Sequence, residues 1–242
     1  MSWAQFYYDT QNTDTMRGLL TILTCILCQT AFGQFGIIAD KDGFVNIRNS
    51  PKISNNIVDT LTSGQIVFCL EEEGEWRPTS YHLNGQHCKS GYIHKSRIKL
   101  IDDFNKIPYD KLTDSIVTFK KDSIKLVITK TKFNPRNNKL QYHKGNPSSW
   151  LEKINGKEIF GVDGNVPKNQ YGQITLTFGK EKIQLPIDNL FEPNLDYIAV
   201  NIDEKNKTIY ISAMNSDGAG SYAVLWIIEN GKFKQRITTI PF

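Results

Sequence analysis

The sequence predicts an all-β protein, because its composition and its patterning both favour strands over helices. Aromatic residues are frequent, with 13 Phe and 10 Tyr among 242 residues, and aromatic and β-branched side chains are enriched in strands. Short apolar or alternating runs recur along the chain, separated by Gly, Asn, Asp and Pro. No window keeps a long helical period of 3.6 residues. We therefore expect many short antiparallel strands and few helices.

The bulk composition excludes several broad classes of protein. Apolar residues make up 39% of the chain and charged residues 22%, which fits neither a disordered nor a membrane-embedded protein. The formal net charge is +4 and the charges are interspersed, so we expect no nucleic-acid binding. A chain of 242 residues is long enough for one large or two small globular domains.

The N-terminus has the layout of a secretory signal peptide. Arg17 precedes an uncharged apolar run of 15 residues, 18–32, which is shorter than the roughly 20 residues of a membrane-spanning helix. The small residues Ala31 and Gly33 predict cleavage after Gly33. We expect an exported protein of the periplasm or extracellular space, which contacts a membrane only if this segment stays uncleaved. The polar residues 1–15 fit this layout poorly, so we also expect translation to begin at Met16.

The cysteines are compatible with either one disulfide or two free thiols in the exported chain. Cleavage removes Cys25 and Cys28, one of which would carry the lipid if the chain were instead a lipoprotein. Cys69 and Cys88 remain, and an even pair in an exported chain favours a disulfide, with two free thiols as the alternative. Histidines cluster near Cys88, but their spacing matches no zinc signature. We expect neither a metal site nor another cofactor.

Residues 34–102 predict a small barrel of short strands. Apolar or alternating runs alternate here with turn signals such as Asp42-Gly43 and Ser63-Gly64. The predicted strand segments, in order, are Ile37–Ala39, Phe44–Arg48, Ile57–Leu61, Ile66–Leu70, Trp76–Tyr81 and Gly91–Ile93.

Four landmarks in this segment resemble those of bacterial SH3 domains, in the family's order. They are Val45–Pro51 (VNIRNSP), Asp59–Gln65 (DTLTSGQ), Gly74–Trp76 (GEW) and Gly91–Ile93 (GYI). The sequence departs from the family at Asn49, where Ser is usual, and at Tyr92, where Trp is usual. A long hairpin from Tyr81 to Ser90 is a further departure.

The resemblance implies an SH3-like adaptor or wall-binding module. Such modules bind peptides, peptidoglycan or other proteins and do no chemistry, although a fold alone does not fix a function. Trp76 and Tyr92 are the residues that could form an aromatic groove. Because Trp76 also fits a core or half-core position, we expect Tyr81, beside the long hairpin, to be the better exposed ligand-binding candidate.

Residues 103–242 predict a second antiparallel β-rich domain, a sandwich or an open barrel. Two Asn-Gly pairs, Asn155-Gly156 and Asn230-Gly231, mark hairpin turns. Two polar Gly-rich loops, 161–165 and 215–220, fit turns that need positive φ at glycine. The second loop could instead present Asn215 and Asp217 to a ligand.

No catalytic motif is present, so the sequence favours a binding protein over an enzyme. It contains no nucleophile elbow, no metal signature and no phosphate loop. The leading hypothesis is a non-catalytic envelope protein that binds a peptide, peptidoglycan or a partner protein through its SH3-like module. The alternatives are an inhibitor or immunity-type protein, and a hydrolase that uses Asp163 and Asp217 as acids.

Overall fold

The computed structural model describes residues 33–82, 88–145 and 149–240. They belong to one compact unit, Gly33–Phe242. The predicted signal peptide, the start at Met16, Cys25 and Cys28 lie outside the described residues. No helix in the described ranges is long and apolar enough to cross a membrane.

The described residues form strands and short 3-10 turns, so the prediction of an all-β protein with few helices is confirmed. The strands are β1 Gln34–Ile38, β2 Phe44–Arg48, β3 Ile57–Thr62, β4 Ile66–Cys69, β5 Trp76–Tyr81, β6 Lys89–His94, β7 Ile98–Leu100, β8 Asn105–Lys106, β9 Tyr109–Leu112, β10 Ile116–Lys121, β11 Ile124–Lys132, β12 Leu140–Lys144, β13 Ser149–Ile154, β14 Lys157–Glu158, β15 Asn169–Phe178, β16 Glu181–Gln184, β17 Ile198–Asp203, β18 Thr208–Asn215, β19 Tyr222–Glu229 and β20 Lys232–Thr239.

The strands assemble into four antiparallel sheets. The N-terminal sheet has the order β3-β2-β6-β5-β4-β1-β7, and the central sheet has the order β16-β15-β11-β10-β9. The small sheet is β12-β13-β14, and the C-terminal sheet is β20-β19-β18-β17-β8. Within the described residues the N-terminal sheet is open, with β3 and β7 at its edges, so the small barrel predicted for residues 34–102 is not closed by hydrogen bonds.

Both predicted Asn-Gly hairpin turns are confirmed. Asn155 and Gly156 have φ of 54° and 80°, and Asn230 and Gly231 have φ of 50° and 73°. Two consecutive residues with positive φ are the signature of a type I′ turn, whose twist matches that of the flanking strands.

Strand β19 is buried on both faces of the C-terminal sheet. Val224 and Trp226 pack into a cluster with the central sheet, which includes Leu126 and Ile174. Leu225, on the opposite face, packs into a second cluster with residues of the N-terminal sheet, including Phe35 and Phe68. An apolar run without polar alternation is what a strand covered on both faces requires. The two predicted domains therefore pack against each other through a shared apolar cluster.

Candidate functional site: an aromatic cleft on the N-terminal sheet

Strands β2, β5 and β6 present a row of ring and guanidinium groups on one face of the N-terminal sheet. Side chains alternate between faces along a strand, and in β2 and β6 the positions of Ile47 and Ile93 are completely buried in the core. Their neighbours Arg48 and Tyr92 are therefore on the opposite face, where they pair in register. Trp76 of β5 pairs with His94 of β6 on this same face. The structure thus places the predicted candidates Trp76 and Tyr92 on one face of the N-terminal sheet, and Trp76 lines the cleft there whereas Tyr92 does not.

Tyr81 is not an exposed candidate, and that expectation was wrong. Its side chain is only 2% exposed and belongs to the core cluster of the N-terminal sheet. The physical reason is strand parity, because Tyr81 is five positions from Trp76 on the same strand and so points to the other face.

A cleft of about 370 Å³ opens beside Trp76. The Trp76 ring is half-buried and meets His94 edge to face, with ring centroids 5.4 Å apart. The Arg48 guanidinium lies 5.9 Å from the Trp76 ring centre, within range of a cation–π interaction. Phe44 and Ile53 also line the cleft and are 47% and 82% exposed. These two side chains are the exposed apolar part of the site.

The loop that carries Ile53 is braced by its own hydrogen bonds. Asn56 Nδ2 donates to Ser50 Oγ at 2.7 Å and to the carbonyls of Ser50 and Lys52 at 3.2 Å each. Arg48 Nη1 donates to Asn56 Oδ1 and to the Ser54 carbonyl, both at 2.8 Å. Ile53 is therefore exposed on a loop whose backbone is already tied in place.

The polar wall of the cleft is built around Asp40. Its side chain is 3% exposed and pairs with Arg97. Asp40 Oδ1 also accepts a hydrogen bond of 2.8 Å from the backbone N–H of Asp42. Charges of both signs line this cleft, which distinguishes it from a basic groove that tracks a phosphate backbone.

The disulfide that the sequence favours between Cys69 and Cys88 is not formed, and the alternative of two free thiols is observed instead. Cys69 is buried and pairs in register with Thr79, which in turn pairs with Gly91. Cys88 therefore lies two strands across and further along the sheet, at least about 10 Å away at a strand spacing of 4.8 Å. A disulfide requires Cα atoms within roughly 7 Å. Burial raises the pKa of the Cys69 thiol to about 12.

The two polar loops singled out in the sequence meet at a second cavity. Asp163 and Asp217 both line this cavity, which has a volume of about 560 Å³. Asn215 lies buried beside it, where its Oδ1 accepts hydrogen bonds from Tyr171 Oη at 2.9 Å and from the Asn194 N–H at 3.1 Å. Both aspartates are exposed.

The structure describes His82 and His94 among the histidines near Cys88. His94 lies in the aromatic cleft, while His87 is outside the described residues. Across the ranges that the structure describes, no group of three or more His, Cys, Asp or Glu side chains is placed to hold a metal ion.

Phe44 and Ile53 were not predicted from the sequence as site residues. Ile53 stands alone in the polar segment 49–56, and an isolated apolar residue in a loop was the one available signal. The sequence around Phe44 is typical of an ordinary alternating strand, so nothing in this pattern indicated that its side chain would remain 47% exposed.

No protein family, curated protein or solved structure matches the chain.

Proposed function

We propose that the chain is a non-catalytic, exported envelope protein that holds an extended peptide in the aromatic cleft. The observation that carries this proposal is that the half-buried Trp76 lines the same cleft as Ile53, which is 82% exposed on a loop held by its own hydrogen bonds. Large exposed apolar side chains grouped beside a concave aromatic surface mark interaction sites. Bracing removes part of the ordering entropy that a flexible loop would lose on binding.

The dimensions and chemistry of the cleft favour a peptide. A volume of about 370 Å³ accommodates one or two side chains. An apolar side chain of the peptide would pack between Trp76 and Phe44, while Asp42 and Arg48 offer one acceptor group and one donor group to its backbone. An anionic nucleic-acid backbone would meet the exposed Asp42 carboxylate, which disfavours that class of partner.

The resemblance to bacterial SH3 domains supports the same proposal. Its landmarks at Val45–Pro51, Gly74–Trp76 and Gly91–Ile93 supply Arg48, Trp76 and Tyr92 to one face of the N-terminal sheet. In the family such modules bind peptides, peptidoglycan or other proteins. Export, which the apolar segment 18–32 favours, would put the cleft in contact with the cell wall and with envelope proteins.

Panning a display library of random peptides against the immobilised full chain tests the proposal. We expect enrichment of peptides with apolar or aromatic residues, and we expect Trp76→Ala to abolish that enrichment. Trp150→Ala is the matched control, because Trp150 is 45% exposed and lies on β13 of the small sheet. No enrichment on the unmodified chain, or equal loss in both variants, would contradict the proposal.

Co-sedimentation with purified sacculi distinguishes a wall peptide from a protein segment. If the natural ligand is the stem peptide of peptidoglycan, the full chain sediments and the Trp76→Ala variant sediments less. If the ligand is a segment of another protein, the enriched library peptide binds in solution and the sacculi retain no chain.

A further inference from the structure

A second cavity, remote in sequence from the aromatic cleft, is an open depression lined mainly by three polar segments. The segments are 161–165, 192–194 and 215–220, and the cavity has a volume of about 560 Å³. Its volume exceeds that of the aromatic cleft by about half, and no aromatic side chain lines it.

The frame of this cavity is fixed by backbone contacts. Gly161 and Gly220 lie so close that a Cβ at Gly220 would be 3.2 Å from the Gly161 carbonyl carbon. Ser216 Oγ donates to the Gly161 carbonyl at 2.8 Å, and the Ser216 N–H donates to the Glu192 carbonyl at 3.0 Å. The Glu192 carboxylate accepts hydrogen bonds from the backbone N–H groups of Lys168 and Asn169. The segments are thus joined into one frame before any ligand arrives.

Five charged side chains line this frame. The Glu192 carboxylate is held by the hydrogen bonds described above, and the other four charged groups do not neutralise one another. Lys130 and Lys168 supply two ammonium groups, and Asp163 and Asp217 supply two carboxylates. Throughout the described ranges these four groups form no ion pair. Opposite charges that share a cavity but stay apart leave room for a ligand that carries both signs.

We propose that this cavity binds a short zwitterionic peptide of about two to three residues. Its carboxylate would pair with Lys130 or Lys168 and its ammonium group with Asp163 or Asp217. The lining supplies amide and hydroxyl groups for the peptide backbone, from Asn165, Asn169, Asn194 and Ser216. The absence of a ring among the lining residues disfavours a sugar or a nucleobase, which stack on aromatic side chains.

A buried amide next to the cavity supports a functional site there. Asn215 is 1% exposed, and its Nδ2 has no hydrogen-bond partner in the described part of the chain. Its Oδ1 accepts from Asn194, which lines the cavity, and its chain neighbour Ser216 lines it too. An unsatisfied buried donor is costly to stability and calls for an explanation, and a function of the adjoining cavity is one.

Isothermal titration of the full chain with trialanine tests the proposal, with its N-acetyl and C-amide derivatives as probes that lack one charge each. We expect trialanine to bind and each blocked derivative to bind about fivefold to tenfold more weakly, the effect of losing one charge-assisted contact at an exposed site. No heat of binding at millimolar trialanine, or equal affinity for blocked and unblocked peptides, would overturn the proposal.

Two variants locate the charges. Asp217→Asn is expected to remove the preference for trialanine over its N-acetyl derivative, and Lys168→Met to remove the preference over its C-amide derivative. The controls Asp114→Asn and Lys182→Met change exposed residues that do not line the cavity, and both preferences should persist in them.

The Trp76→Ala variant should bind trialanine as the unmodified chain does. If Trp76→Ala abolishes binding while the cavity variants do not, the peptide occupies the aromatic cleft and this proposal is wrong.

Discussion

Glycine at position 161 is required by both the backbone angle and the space around it. Its φ is +107°, and a Cβ built there would lie 2.3 Å from the Phe191 carbonyl oxygen. Gly179 has a φ of +54° but nothing within 4 Å of such a Cβ. Comparing alanine substitutions at the two positions therefore distinguishes the free-energy cost of a left-handed conformation from that of a steric clash.

Gly161→Ala is expected to lower the free energy of unfolding by at least about 3 kcal/mol, because strain and a backbone clash combine. Gly179→Ala should lower it by only about 1 kcal/mol, the cost of the left-handed conformation alone. Urea denaturation of both variants makes the comparison. Equal losses would show that the close approach of Gly161 to Phe191 is absent in solution.

The two cysteines are expected to differ sharply in reactivity. Because burial raises the pKa of Cys69 to about 12, its thiolate fraction at pH 8 is about three orders of magnitude below that of an ordinary thiol. Iodoacetamide treatment followed by peptide mapping should modify Cys88 in the native chain and Cys69 only after unfolding. If modification of both cysteines requires prior reduction, they form a disulfide and the account of the N-terminal sheet is wrong.

At the scale of elements, a side-chain contact ties the edge strand β3 to β6. Lys89 Nζ donates to Asp59 Oδ2 at 2.9 Å. That bond, and next the N–H of Thr60, lower the pKa of Asp59 from 3.8 to about 2. A carboxyl with a depressed folded-state pKa stabilises the fold above its unfolded pKa, and this contribution is lost as pH falls through the folded pKa.

Asp59→Asn should therefore be less stable than the unmodified chain at neutral pH, and the difference should shrink between about pH 4 and about pH 2. Chemical denaturation across that window measures it. Lys89→Met removes the partner and should show the same pH dependence. A difference that stays constant down to pH 2 would mean that Asp59 is not held by Lys89.

Strand elements could be predicted from the sequence where the pattern is local. Phe44–Arg48 and Trp76–Tyr81 were predicted with the observed bounds, because turn residues delimit them on both sides. The short strands β8 and β9 were missed, since Asn105–Lys106 and Tyr109–Leu112 have exposed, mixed sequences. β8 pairs with the distant strand β17, a contact that leaves no local signature, whereas β9 pairs with its neighbour β10 and lacks the apolar alternation that marks a strand.

The two candidate sites also depend on contacts between residues that are far apart in the sequence. Trp76 and Tyr92 were predicted as candidates, but the parity that buries Tyr81 depends on which face of β5 meets the core. The loops 161–165 and 215–220 were each identified as polar turns, yet their convergence on one cavity follows from the pairing of whole strands. A single sequence carries no signal for that juxtaposition.

At the scale of the molecule, the C-terminal sheet is a middle layer that shares a core with each neighbour. Phe35 and Phe68 of the N-terminal sheet pack with Tyr210 and Leu225 of the C-terminal sheet. Phe35 and Phe68 meet edge to face at 5.0 Å. This cluster joins residues on both sides of the predicted boundary at residue 102. We therefore expect the stabilities of segments 34–102 and 103–242 to be coupled.

Calorimetry should accordingly give one unfolding transition, with equal calorimetric and van't Hoff enthalpies. Phe68→Ala should destabilise the whole chain by about 3 to 5 kcal/mol, the usual effect of truncating a buried Phe, and should shift the entire transition. Two transitions, of which Phe68→Ala moves only one, would mean that residues 34–102 and 103–242 unfold independently.

The most direct test of peptide binding at the aromatic cleft is hydrogen–deuterium exchange of the full chain with and without a library-selected peptide. We predict that the peptide slows exchange in residues 44–56 and 92–97, the segments that contain Phe44, Ile53 and His94 of the cleft lining. Exchange in the C-terminal sheet should be unchanged. Protection centred on any other sheet, or no protection at a saturating peptide concentration, would contradict the assignment of the cleft as the binding site.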